Sequence, residues 1–455
     1  MSTRPQPVDR STLPASEIVR QLIHIASGLW VLLLPWSGWV PLLALALAAT
    51  LFNLWVLPRI GGRGLWRPRE LSAGRAAGVV LYPVTVSILL VAFRHRPEVA
   101  GAGWGLLAFA DGTATLIGGA SGRRPLPWND SKTWSGLVAY VVVGGLAVFG
   151  LVRWVAPDRY DALFLLAAAA LTAALCALLE SAPQRIDDNL TVPLLGALFL
   201  TCLLETSGRW HSLHPEELGR QLILGLGVNA ALALVAYAAG ALDPGGAAVG
   251  TVLGTMVFTG LEWSGFLVLV TFILAGSSAT RLGWVRKSRL GTAEPRGGRR
   301  RFANAIANGG VAALCALFAL ATPHREMFVL AFVCSLAAAT ADTLESEIGS
   351  LWGHPTVLIT TLQPVPPGTD GGVSLTGTLA GLAGASLIAA VAWAGGLLAA
   401  RLLVPVAGLG LLATLGESVA GATLERSGLV DNHGINLLNT LCAALAGALL
   451  ARTMA

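Results

Sequence analysis

Apolar runs separated by short polar loops follow one another along almost the whole chain, from near Ile18 to Leu450. A helix needs roughly 20 apolar residues to cross the ~30 Å hydrocarbon core of a bilayer, and each run has about that length. The pattern predicts about fifteen spans, near residues 18–34, 38–57, 76–93, 99–117, 134–152, 161–180, 190–206, 220–241, 246–260, 263–280, 303–321, 327–341, 375–398, 402–416 and 434–451. The expected fold is therefore all-α, a polytopic integral membrane protein with its helices in two bundles. The runs are poor in aromatic residues and rich in Gly and Ala, which suits close helix packing in lipid. The first run follows a polar, Pro-containing leader with no small-residue cleavage site after it, so it reads as a retained helix and not a signal peptide.

Composition agrees, with 55% hydrophobic and 12% charged residues against roughly 25% charged in soluble domains. The net charge of +5 invites a nucleic-acid reading. The arginines, however, sit in short loops and form no single basic face interleaved with aromatics, so no nucleic-acid partner is expected and the bilayer is the main surrounding partner. The densest basic loops are 59–75, 123–132 and 281–301. Counting spans places all three, and the N-terminus, on one side. By the positive-inside rule that side is cytoplasmic, in the inner (plasma) membrane of a prokaryote. The same parity gathers Asp111, Lys132, Glu180, Asp187, Asp188, Asp342, Glu345, Glu347, Asp370, Glu417 and Asp431 at that face, within reach of a soluble reagent.

The five cysteines stand singly in or beside apolar runs with no CxxC pair, which fits packing better than disulfide or metal chemistry. The polar segment 205–220 marks a boundary between membrane domains 1–206 and 220–455, with 207–219 as linker. His211 and His214 in it lack a third ligand and read as loop histidines.

In the first domain, Asp111 at the end of an apolar helix precedes Gly112, Gly118, Gly119 and Gly122 in an expected glycine-rich turn. Arg123, Arg124 and Lys132 follow before the next helix. This is a composition for handling phosphate. Asp111 can hold Mg2+ through one carboxylate alongside substrate phosphates, and glycines let backbone N–H groups approach an anion. Lys132 lies near a helix N-terminus, whose partial positive charge adds to its own. It is one of two lysines beside 28 arginines, so a compact point charge is implied where a planar fork does not serve.

The stretches "EIVRQLIH" (Glu17 to His24), "ADGTATLIGG…WNDSKTWSG" and "ESAPQRIDDNLTVPLLGAL" (Glu180 to Leu198) resemble the membrane phytol, farnesol and dolichol kinases, relatives of CDP-diacylglycerol synthase, over about residues 15–205. The resemblance implies transfer of the γ-phosphoryl group of CTP, or UTP, to an isoprenoid alcohol with Mg2+. It places Asp111 at the Asp of a Gly-Asp pair and Lys132 at the Lys of Lys-Ser-x-Glu-Gly. Asp187, Asp188 and Asn189 match Asp-Asp-Asn. Asp111, Lys132, Asp187 and Asp188 become catalytic candidates, Arg20, His24, Arg123, Arg124, Asn129 and Asn189 candidate phosphate contacts, and Asp111 and Glu180 candidate metal ligands. The chain departs at Ala110 for Gly and Ser135 for Glu.

In the second domain, Lys287 precedes Asn304 and Asn308. Asp342, Glu345 and Glu347 lie within two helical turns, where at least two carboxylates can share a face as a metal site. "PPGTDGG" offers a stiff approach and a phosphate nest around Asp370. These clusters resemble the membrane family that includes plant phytyl-phosphate kinase, over about residues 220–453. The matching elements are Asp342-Thr343, Ser346 to Gly349, Gly368-Thr369, Gly371 to Ser374, Ala307 to Gly309, Asn432 and Asn436. The resemblance implies that a prenyl monophosphate gains a second phosphate, with Asp342 and Glu347 as catalytic candidates and Asp342 and Glu345 as metal candidates. Lys287, Asn308, Gly368, Thr369, Asp370, Gly371, Gly372, Asn432 and Asn436 are the candidate phosphate contacts. Two alternatives remain open at this point, a CTP-dependent cytidylyltransferase and a transporter or flippase.

Overall fold

The computed structural model describes residues 14–60, 77–121, 124–182, 187–209, 214–290, 302–426 and 430–454. It divides into two compact units, Met1–Ser207 and Gly208–Ala455. Among the described residues eleven helices are long and apolar enough to span a membrane, with shorter apolar helices at Gly78–Ala92 and Asp188–Leu204. The chain is an all-helical, multi-pass integral membrane protein. Large apolar side chains point outward, such as Leu163 (75% exposed), Ile223 (76%) and Val404 (81%). That arrangement is stable only against lipid, where helices satisfy every backbone polar group internally.

The first unit runs α1 (Ala15–Ser37), α2 (Trp39–Val56), α3 (Ala77–Ala92), α4 (97–121), β1 (Pro125–Leu126), β2 (Asn129–Thr133), α5 (Trp134–Val155), α6 (Ala162–Ser181) and α7 (Asp188–Leu204). Helix α4 lies at its centre, with Val99, Ala102, Leu106 and Ala108 fully buried. Small residues let its neighbours close in. A Cβ on Gly28 of α1 would collide with the Cβ of Ala108, and one on Gly196 of α7 would lie 2.5 Å from Cys176 Sγ and 3.0 Å from Leu106 Cδ1.

The second unit runs α8 (Pro215–Ala238), α9 (Pro244–Arg281), α10 (Trp284–Leu290), α11 (Phe302–Ala321), α12 (Arg325–Trp352), β3 (Val357–Leu358), β4 (Gly372–Val373), α13 (Leu375–Ala394), α14 (Ala400–Glu425) and α15 (Asn432–Met454). Two expected spans, 246–260 and 263–280, fall in α9, which breaks at Glu262 with φ 51° and ψ −147°. The ring of Phe258 packs 6.0 Å from that of Phe266. Eight residues along a straight helix would separate them by ~12 Å, so the chain folds back here and makes two limbs. This fold-back, the two short helices and the 97–121 run account for the difference between eleven and about fifteen. Helix α12 is the hub of this unit. Gly384, Gly410 and Gly447 press on it, since a Cβ at each would meet Thr340 Cγ2 at 3.2 Å, the Ala337 backbone at 3.2 Å and Cys334 Sγ at 2.9 Å.

One polar knot holds the loop ends of the first unit. Glu98, 1% exposed, accepts from Arg96 Nε at 2.8 Å and Arg159 Nη1 at 3.3 Å, while Arg96 Nη2 donates to Tyr160 Oη at 3.1 Å. Burial would lower the Arg96 guanidinium, but Glu98, Tyr160 and Glu205 outweigh it and hold it further up. Removing Glu98 deletes the carboxylate shared by Arg96 and Arg159, although Arg96 keeps Glu205 at 2.5 Å. Glu98→Ala is expected to lower stability in detergent by about 2 kcal/mol, measured as a fall in the thermal unfolding midpoint without loss of helix content before melting.

Candidate active site

The site of the first unit forms where α4, α6 and α7 meet the β1–β2 hairpin. Helix α4 widens into a π turn over Leu106–Asp111, and Asp111 is its last residue. Such turns re-aim side chains and recur at functional sites. The helix does not end at Asp111, as the sequence suggested, but continues through Gly112–Ser121. The expected glycine-rich turn is thus largely helical. Its glycines serve packing instead, because a Cβ on Gly118 would lie 3.3 Å from Gly136 Cα of α5. Gly122 and Arg123 lie outside the described residues, and Arg124 is exposed, its carbonyl accepting from Trp134 N at 3.2 Å.

Lys132 leaves the end of β2 and inserts between two acids. Its Nζ donates to Glu180 Oε1 at 2.8 Å and lies 3.5 Å from Asp188 Oδ2. Burial would lower its ammonium, but the charges of Glu180, Asp188 and Asp111 overcome that and hold it up at about 12. Thr133 caps α5 by accepting from Gly136 N at 3.2 Å, which fixes the strand-to-helix corner that delivers the lysine. Asp187 accepts from Asn189 N at 3.0 Å and so caps α7, leaving Asp188 to face the site. Asn129 and Trp128 tie the hairpin to the end of α6, donating to Ser181 O at 3.1 Å and Ser181 Oγ at 3.2 Å.

From α1, His24 Nε2 lies 2.8 Å from Leu107 O and 3.7 Å from Asp111 Oδ2, its ring packed edge-on to Tyr82 at 4.3 Å. Arg20 pairs with Glu17 at 2.5 Å on the same helix. Beside them Gln21 is buried with its Oε1 unpartnered. A small cavity is lined by Asp111, Glu180 and Asp188 together with Leu107, Tyr140, Val192 and Pro193. Acid and apolar walls therefore share one space. Tyr140 and Gln21 were not legible as site residues, since each lies in an ordinary helical pattern.

The second unit separates residues that the sequence grouped. Asp342 and Glu345, one turn apart, face α13 and α14, whereas Glu347 points the other way, as 100° per residue requires. Asp342 shares a hydrogen bond with Glu417 of α14. Glu345 accepts from Thr378 Oγ1 at 3.2 Å, and its Oε2 is buried without a partner. Asn439 Nδ2 donates to Glu417 Oε2, and Asn436, with its amide turned to satisfy both neighbours, donates to Glu417 Oε1 at 2.9 Å and Asn432 O at 3.0 Å. Glu417 and Asn439 are therefore members of this cluster that the motif reading left out.

Lys287 behaves differently from Lys132. Fully buried, it donates to Glu347, to Ala279 O at 2.8 Å and to Thr280 O at 3.4 Å, so its ammonium is committed to the fold. Asn308 donates to Asn304 O at 3.1 Å. In the Gly368–Gly372 turn, Gly368 and Gly371 have φ of 82° and 75°. A Cβ on Gly371 would sit 2.5 Å from Ala422 Cβ, so only glycine fits against α14. The N–H groups of Thr369 and Gly372 bond within the turn, to Pro366 O at 3.3 Å and Thr369 O at 2.8 Å, and Asp370 stands near Glu425. Among the described residues no three Asp, Glu, His or Cys side chains converge closely enough to form a metal cage.

Lipid-facing helices around internal clusters of acids, amides and lysine define a multi-pass membrane protein with a polar site in each unit. The pattern of the family described as integral membrane protein DUF92 matches residues 227–444. The chain is 40% identical over 187 residues to an uncharacterized membrane protein of Synechocystis, a match covering 40% of this chain and 72% of that protein. It belongs to this integral membrane family. It is also 34% identical over 192 residues to protein VTE6 of Arabidopsis thaliana (40% of this chain, 56% of that protein). To the phytol kinase of Synechocystis it is 30% identical over 202 residues (42% of this chain, 81% of that protein). No solved structure matches.

The geometry makes Lys132 and Glu180 mutually dependent. Lys132→Met leaves a buried carboxylate uncompensated and is expected to cost about 3 kcal/mol of stability. Adding Glu180→Gln should recover most of that loss. Thermal unfolding of both variants in detergent, followed by tryptophan fluorescence, checks it.

Proposed function

We infer that the chain is a membrane kinase of isoprenoid alcohols, transferring the γ-phosphoryl group of CTP or UTP to a substrate such as phytol, geranylgeraniol or farnesol. The observation that carries the reading is Lys132 set between Glu180 and Asp188, two acids that with Asp111 line a small cavity together with Leu107, Val192 and Pro193. A charged phosphate and a hydrocarbon tail need these two surfaces side by side. Relatives bearing the name phytol kinase support the same reading.

In this reaction the alcohol oxygen attacks the γ-phosphorus, the bond to the β–γ bridging oxygen breaks and the nucleoside diphosphate leaves. Phosphoryl transfer asks the protein chiefly for positioning and charge stabilisation. Lys132 meets the developing charge, and the hydroxyl proton passes to a carboxylate, for which Asp188 at the cavity wall is placed. The oxygen-only donor set fits Mg2+, which usually takes one or two carboxylates and completes its shell with phosphates and water, so a preformed cage is not required. Asp111 would hold it, with Glu180 already paired to Lys132; when bound, the metal neutralises the nucleotide phosphates.

The second unit, in this reading, acts on the monophosphate released by the first and makes the diphosphate. Two kinase domains, 1–206 and 220–455, then work in sequence around the linker 207–219, with the N-terminus and both sites at the cytoplasmic face. Arg281, Arg286 and Arg289, which line one surface depression of the second unit, supply charge that favours anionic reactants.

The full chain in detergent, given γ-labelled CTP, Mg2+ and geranylgeraniol, is expected to yield labelled mono- and diphosphate and to release CDP. Asp111→Asn should lower monophosphate formation about 100-fold while supplied monophosphate is still converted. Asp342→Asn should make the monophosphate accumulate. No labelled lipid with any prenol, or release of pyrophosphate in place of CDP, contradicts the reading.

A further inference from the structure

The two units share a pattern of close contacts that their sequences do not advertise. In the first unit, Thr133 ends the second strand of a hairpin and caps the next helix on Gly136 N at 3.2 Å. In the second, Ser374 follows a two-stranded hairpin and caps the next helix on Gly377 N at 3.2 Å. A Cβ on Gly136 would meet Ala114 O at 3.1 Å and Gly118 Cα at 3.4 Å; one on Gly377 would meet Glu345 O at 3.0 Å and Gly349 Cα at 3.3 Å. Asp111 and Asp342 each stand three residues before the carbonyl in this contact.

A second knot repeats in the same register. A Cβ on Gly144 would meet Leu106 and Ala173 at 3.2 and 3.3 Å, and one on Gly410 would meet Ala337 and Ala385 at 3.2 and 2.9 Å. Leu106 is five residues before Asp111 and Ala337 five before Asp342, while Ala173 is seven before Glu180 and Gly410 seven before Glu417. Both glutamates are followed by serine, and an Asp-Asn pair opens the last helix of each unit, at Asp188-Asn189 and Asp431-Asn432.

We propose that the two units are built on one frame, so that Glu417 holds in the second unit the place of Glu180 in the first and is a positioning residue of its phosphate site, ordering Asn436 and Asn439. The register puts Val373 where the first unit has Lys132. Asn436 and Asn439 fall where it has Pro193 and Gly196, residues without side-chain donors. The cation beside Glu180 is thus exchanged for two amides and a shared hydrogen bond with Asp342 beside Glu417. Glu347 falls at the position of Leu116, outside the frame, and with Lys287 it is a positioning pair.

The functional half of this inference rests on the kinase reading, and the test separates the two. Glu180→Gln and Glu417→Gln are compared in the full chain with radiolabelled nucleotide, using alcohol and synthetic monophosphate as separate acceptors. Glu180→Gln is expected to lower the first step about 100-fold and spare the second; Glu417→Gln does the reverse. A second step unchanged by Glu417→Gln, with the wild type active, overturns the proposal. If the wild type makes no product, the kinase reading fails, and the frame is read from paired cysteines in a cysteine-free background. Disulfides forming in both Gly118→Cys/Gly136→Cys and Gly349→Cys/Gly377→Cys support the shared frame, and formation in the first pair alone overturns it.

Discussion

A carboxylate buried among membrane helices has to be compensated, and Glu180 is the residue around which the first unit's site is arranged. It lies at the end of α6 with 6% of its surface exposed. Among the described residues Lys132 is the cation that reaches it, at 2.8 Å, and that lysine arrives from a hairpin whose strands, cap and tryptophan anchor all point to the same corner. Stability and chemistry are coupled here. In the proposed reaction the lysine that compensates the acid is also the cation that meets a phosphate, and the acids around it keep it charged.

The spans were legible because lipid imposes one rule on every helix, an apolar run of fixed length. The fold-back at Glu262 was also legible, as two runs separated by a polar residue. The expected span 99–117 agrees closely with α4, and what was misread was the glycine-rich stretch after Asp111, which is helix and not turn. Glycine reads as a turn former in water, but at Gly112 and Gly118 it serves close contact between helices, and a π turn carries Asp111 into the interior instead of to a loop.

The site residues divide in the same way. Lys132, Asp111, Glu180 and Asp188 were legible because a charge in or beside an apolar run is costly and needs a reason. Lys287 shows the limit of that argument, since the same rarity marks a lysine whose partner is Glu347 and whose role is to hold α10 to α12. Asn439, Tyr140 and Gln21 carried no signal, because an amide or phenol one turn from a site looks like any other helical residue until the partner helix is known.

The account rests on a phosphate-bearing nucleotide lying against the hairpin lysine of the first unit. Photolabelling the full chain in detergent with an azido nucleoside triphosphate, followed by mass spectrometry of the peptides, tests this directly. Labels on the segments around Lys132 and 188–193, displaced by excess CTP, are the predicted result. Labels confined to other segments, or none that CTP displaces, would contradict it.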